Sequence, residues 1–131
     1  MSAIAKVFAT LSGVIHVLFF LMESLFWSNP KIHGIFKVNS QADAEIIDVF
    51  IKNQGFYNLF LALGIFAGLT LLRRHQLVGI TLITYVCLVM VGAAIVLLFT
   101  QPAMLNGVFI QGVPPLIALL ALHFTRAIKR A

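Results

Sequence analysis

Four apolar runs, each about the length that crosses a bilayer, dominate this chain. They lie at roughly 4–27, 55–72, 77–99 and 105–125. Inside hydrocarbon a backbone has no water to bond, so spans of this length fold as helices. Of 131 residues, 61% are hydrophobic and only 10% are charged. A water-soluble domain with so little charge would aggregate. The expectation is an all-α, polytopic membrane protein. One four-transmembrane-helix bundle over residues 1–131 uses up the sequence as a single domain with the lipid bilayer as its partner.

The first run is expected to stay as a helix rather than be cleaved as a signal peptide. Bulky Leu25, Phe26 and Trp27 stand where cleavage needs small residues. Cys87 is the single cysteine, so it forms no intramolecular disulfide and reads as a small buried hydrophobe. Lys6, Arg73, Arg74, Arg126, Lys129 and Arg130 fall on one side of four spans; Lys31, Lys37 and Lys52 fall on the other. That asymmetry predicts an inner-membrane protein with both termini cytoplasmic. The basic residues border membrane ends instead of forming one patch, which argues against nucleic acid as a partner.

The one long loop, between the first two spans, carries two patterns. In KIHGIFKVN, residues 31–39, Ile32, Phe36 and Val38 alternate and give an extended or hairpin signal. In SQADAEIIDVFIKNQG, residues 40–55, Ser40 and Asp43 form a capping arrangement. Gln41, Glu45, Asp48 and Lys52 share one helical face, while Ile46, Val49 and Phe50 share another. This predicts an amphipathic helix leading into the second span at the outer interface, with an Asp48–Lys52 pair. Small residues recur every four positions at Ala5, Ala9 and Gly13, and again at Gly64 and Gly68. They permit close helix contact, favoured here within one bundle, with a homo-oligomer as the other reading.

Polar residues inside the apolar runs are the candidate site. His16 and Glu23 share a face of the first helix, flanked by Phe19, Phe20 and Trp27. Asn53, Gln54, Tyr57 and Asn58 open the second span, and Gln111 lies near the start of the fourth. With the termini inside, these residues fall at about one depth. A charged group facing lipid is costly, so the predicted arrangement turns Glu23 inward. Gln54, Asn58 and Gln111 would offer it hydrogen bonds, and His16 would sit at the floor of an outward-facing pocket. Pro114 and Pro115 either kink the fourth helix or start it, and the kink is preferred because a late start leaves the span short. His33 and His75 read as loop residues. His16 and Glu23 lie ~10 Å apart along a helix, too far to share one ion, so no metal and no cofactor is expected.

Three stretches carry a resemblance. The spacing His16, Glu23, Trp27, the run NQGFYN at 53–58 and the run FIQGVP at 109–114 resemble the bacterial membrane family called domain of unknown function 1304. The likeness spans nearly the whole chain, with the three signatures in order. It implies four helices and marks His16, Glu23, Trp27, Asn53, Gln54, Gly55, Tyr57, Asn58, Gln111, Gly112 and Pro114. Here MESLFW stands where the resemblance leads one to expect LEMFLW. It implies no activity.

The residues themselves support three functional expectations. The first is binding or transport of a small lipophilic or amphipathic ligand, cations included. Its ligand-binding or proton-carrying residues would be Glu23, His16, Gln54, Tyr57, Asn58, Gln111, Asn53, Trp27 and Phe20, with aromatic walls facing the ligand. The second is an intramembrane enzyme acting on a lipid-like substrate, with Glu23 and His16 as acid and base. The third is a structural accessory subunit of a membrane complex. No phosphate loop, nucleophile elbow or paired catalytic carboxylate is present in the sequence.

Overall fold

The computed structural model describes residues 1–128, with side chains as far as Phe124. Its elements are helical throughout. Helix α1 spans Ala3–Phe20 and continues into a single wide π turn, Leu21–Leu25. Two short helices come next, α2 at Pro30–Ile35 and α3 at Gln41–Ile46. Then come α4 at Asp48–Leu71, α5 at Gln76–Thr100, a 3-10 turn at Pro102–Met104 and α6 at Leu105–Ile128. Four of these segments, Ala3–Leu25, Asp48–Leu71, Gln76–Thr100 and Pro102–Phe124, are long and apolar enough to cross a membrane. They form a polytopic four-helix bundle.

Local chemistry explains the boundaries. The Ser2 side chain caps α1 by accepting from the Ala5 N–H. Asn29 caps α2 in the same way, with Pro30 in the first turn, where its missing N–H costs nothing. Ser40 accepts from the Asp43 N–H at 3.0 Å and donates back to its carboxylate at 2.6 Å, as the sequence predicts. Hydroxyls inside the spans bond backward to the carbonyl four residues earlier, Ser12 to Phe8 and Thr84 to Ile80 among them. That satisfies them without water.

The four long helices close a ring: α1 packs on α4, α4 on α5, α5 on α6, and α6 returns to α1. Glycines set the tightest approaches. A Cβ at Gly68 would meet Ile83 at 2.6 Å and the Gly79 carbonyl at 3.1 Å, and one at Gly64 would meet Val86 at 2.9 Å. Both therefore face α5 within the same chain. Ala5 and Ala9 are fully buried, and Gly13 faces Ile65 and Phe66 of α4. The solid core, built on Ala9, Ile65, Ile83, Cys87, Met90 and Ala118, fills the half of the bundle nearer the amino terminus.

Two expectations need correction. Residues 30–35 are helical rather than extended, because Asn29 and Pro30 start a helix that outweighs a short alternation. The amphipathic segment does not run unbroken from 40 to 55: it pauses at Ile47, whose ψ of 1° interrupts the helical path before α4 begins. Helix α4 thus absorbs 48–54 and is longer than the predicted second span. Pro114 and Pro115 are buried inside α6 rather than at its start, which agrees with the preferred placement. Neither can donate to the residue four earlier, which leaves the carbonyls of Ile110 and Gln111 without their usual helical donor.

Candidate functional site at the open end of the bundle

Glu23 sits in the middle of the π turn and is 5% exposed. The turn is closed by the Phe26 N–H donating to the Leu21 carbonyl at 2.8 Å, a bond five residues long. Such turns add a residue to the helix and are common at functional sites. Gly55 explains how α4 comes close enough to meet it. A Cβ there would collide with the Ser24 hydroxyl and lie 3.0 Å from the Glu23 Cβ. The Ser24 hydroxyl also donates to the Lys52 carbonyl at 2.8 Å, a second tie to α4.

One helical turn after Gly55, Asn58 is equally buried. Its Nδ2 donates to Glu23 Oε2 at 2.7 Å. Among the described residues no fully buried polar side-chain atom lacks a hydrogen-bond partner. The other carboxyl oxygen, Oε1, is therefore accessible, and Glu23 lines a cavity of about 660 Å³. Gln54, Asn58 and Gln111 line the same cavity, together with Phe19, Phe36, Lys37 and the polar Thr100 and Gln101 of the α5 end. Gln54 and Gln111 share the space but do not bond Glu23. The expected inward carboxylate is present, with one amide partner of the three considered.

The remaining candidates go elsewhere. His16 is buried outside the cavity lining, with Nδ1 donating to the Ser12 carbonyl at 2.9 Å and its ring edge-on to Phe19. Its proton must be on Nδ1 there, because a carbonyl only accepts. Tyr57 is 55% exposed and Asn53 is exposed, both off the lining. Phe20 packs against Phe56 at 5.2 Å. Trp27 is 2% exposed and belongs to a cap rather than to the pocket wall. The helix ends at Leu25 and Phe26 leaves the helical path, with φ −110° and ψ 13°, so Trp27 sits in the following turn and leaves the face shared by His16 and Glu23.

That cap includes residues that hydropathy and spacing do not single out. Trp27 Nε1 donates to the Ala44 carbonyl at 3.3 Å, and His33 Nε2 donates to the Trp27 carbonyl at 2.6 Å. The His33 ring lies 4.7 Å from the Trp27 ring, and Phe36 approaches the indole edge-on at 5.7 Å. His33 is thus a buried anchor in α2, not a loop residue. The cap fixes α2 and α3 over the end of α1 and delivers Phe36, Lys37 and Val38 to the cavity. A signal is present in the aromatic cluster Trp27, His33, Phe36, but its spacing fits no single helix or strand. No group of three His, Cys, Asp or Glu side chains able to hold a metal ion comes together among the described residues.

The family described as "Protein of unknown function (DUF1304)" matches residues 10–123, nearly the whole chain. The chain belongs to this family. In this DUF1304 protein the matched stretch contains the π turn, the cap, Gly55, Asn58 and Gln111, so the whole open end lies within the family's extent. No curated protein and no solved structure matches it.

Proposed function

We propose that this DUF1304 protein binds, and in its working cycle transports, a small lipophilic or amphipathic ligand in the cavity around Glu23. The observation that carries the reading is the half-satisfied carboxylate. Glu23 gives one oxygen to Asn58, leaves the other without a hydrogen bond among the described residues, and lines a cavity walled by Phe19 and Phe36 and bordered by four amides, Gln54, Asn58, Gln101 and Gln111. A carboxylate kept inside a membrane bundle is expensive, and such groups commonly mark ligand or proton sites. Apolar walls with a few convergent polar groups are the usual make-up of a small-molecule site. Cationic ligands suit the carboxylate best. The enzymatic alternative finds no support in the cavity, because His16, its proposed partner, is outside the lining.

The setting we propose is a bacterial inner membrane, with both termini cytoplasmic and the cavity facing outward. Lys6 at the start of α1 and Arg73 and Arg74 after α4 share one end of the bundle, as the charge rule requires. The other basic residues invoked, Lys129 and Arg130 with the Arg126 side chain, lie outside the described residues. Reporter fusions at residue 131 and near residue 40 test the orientation. Binding is tested with tetraphenylphosphonium, a lipophilic cation, on the purified protein. Glu23→Gln should fold and lose binding; retained binding overturns the reading.

A further inference from the structure

A second cavity, of about 580 Å³, opens between α1 and α6. It shares Phe19, Phe36, Lys37, Met104 and Gly107 with the Glu23 cavity. The two spaces are neighbours across a thin wall of these side chains. The first holds the carboxylate and four amides, and the second also has polar lining, from Lys37 and Asn106. The second is bordered by Ile15, Leu18 and Met22 of α1 and its π turn and by Leu105 and Ile110 of α6. Leu18, Leu105 and Ile110 are each about half exposed, and all five lie inside the membrane-crossing segments. This side of the groove is formed by the membrane-crossing segments.

Lys37 stands on the shared wall. Its φ of 59° is in the left-handed region, where a lysine is strained. It takes the place glycine normally fills after a helix: the Val38 N–H donates to the His33 carbonyl at 2.9 Å and the Lys37 N–H to the Gly34 carbonyl at 3.2 Å. A strained non-glycine residue points to a use for its side chain. Lys37 and Glu23 line one cavity, yet no ion pair joins them among the described residues. One cation and one anion are thus held apart beside an apolar slot.

We propose that the occupant is a membrane aminophospholipid that enters sideways between α1 and α6. Its ammonium group meets Glu23 Oε1, its phosphate meets Lys37, and its acyl chains lie in the α1–α6 groove. This rests on the binding reading above and names the ligand class for it. The headgroup carries both charges, in the order the wall presents them, and the chains match a slot formed by the membrane-crossing segments. Gly107 is the natural passage. A Cβ there would have only ordinary contacts, Met104 at 3.6 Å and Leu97 at 3.7 Å, so the residue is not held to glycine by packing.

The test uses the full chain in detergent, with native mass spectrometry counting retained phosphatidylethanolamine against phosphatidylglycerol of the same acyl chains. The native protein should prefer phosphatidylethanolamine by at least about fivefold, the scale of one partly exposed charge pair. Glu23→Gln should abolish the preference. Gly107→Phe should block the passage and lose phosphatidylethanolamine. Lys37→Gly removes the charge and the strain together, so it keeps the test valid even if Gly107→Phe does not fold. It should melt no lower than the native protein and retain less phosphatidylethanolamine. Equal retention of both lipids, retention of neither, or an unaltered preference in folded Gly107→Phe or in Lys37→Gly overturns the proposal. Glu23-dependent binding of tetraphenylphosphonium without phosphatidylethanolamine retention overturns the lipid assignment and leaves the binding reading standing. Loss of both removes both.

Discussion

Asn58 donates to Glu23 at 2.7 Å across 35 positions of chain, and this bond joins the π turn of the first span to the second. Removing the donor leaves a buried carboxyl unpaired on both oxygens. Asn58→Leu should therefore cost about 1–3 kcal/mol of stability. Glu23→Gln keeps an acceptor oxygen and should melt within a few degrees of the native protein. Thermal unfolding in one detergent compares them. If Asn58→Leu melts as the native protein does, the bond is not a structural tie.

The glycines are expected to separate by what stands opposite them. At Gly79 a Cβ would meet the Gly68 carbonyl at 2.6 Å and the Leu72 amide at 2.9 Å, both backbone atoms that cannot swing away. Gly79→Ala should destabilise by about 1–3 kcal/mol, the usual cost of overpacking. Gly92 has nothing within 4 Å, and Gly92→Ala should be neutral or slightly stabilising through helix propensity. Gly64→Leu should also destabilise, since its larger side chain must displace Val86. The same melting experiment ranks all three, and a melt of Gly79→Ala above that of Gly92→Ala contradicts the packing described.

The cap offers a built-in reporter, because Trp27 is the single tryptophan. It is 2% exposed, so its emission should be blue and poorly quenched by acrylamide. His33→Ala removes the bond to the Trp27 carbonyl and the neighbouring ring. It should shift the emission to the red and raise quenching, while global stability falls by about 1–3 kcal/mol. An unchanged spectrum would mean that His33 does not hold the indole in place.

Replacing Lys37 should help the fold. Lys37→Gly relieves a left-handed backbone and should stabilise by about 1 kcal/mol. Lys37→Ala keeps the strain and should not. Chemical denaturation of the two variants side by side reads the difference. Equal stability would show that the strain at this position is already compensated.

Individual residues show how far sequence alone reaches. The spans are legible because twenty or so apolar residues in a row admit one solution in lipid. Their ends agree within a few residues except at 48–54, which the sequence reads as an interfacial lead-in helix and the structure joins to the second span. Glu23 and Asn58 are legible because an unpaired carboxylate in a bundle needs a donor at its own depth. Trp27 is misplaced because the helix ends at Leu25, inside an apolar run that continues through Phe26 and Trp27 without a sequence break. His33, Phe36 and Lys37 escape notice as site neighbours because the connection that folds them over the cavity is set by tertiary contacts with Trp27. Thr100 and Gln101 join the cavity through the end of α5, a helix whose sequence carries no polar face.

The solid half of the bundle has its own consequence. Ile65, Ile83 and Met90 are fully shielded, and Ala5, Ala9 and Ala118 close the gaps between them. In this arrangement a single copy is a cup, with a floor several side chains thick, rather than a conduit. On the proposed reading, whatever enters at the mouth or through the side must go back out by one of those routes. Under the transport reading proposed above, carrying cargo to the far face would require that floor to part, so a cross-link between α4 and α5 at the Ile65–Ile83 level would arrest transport and leave loading intact.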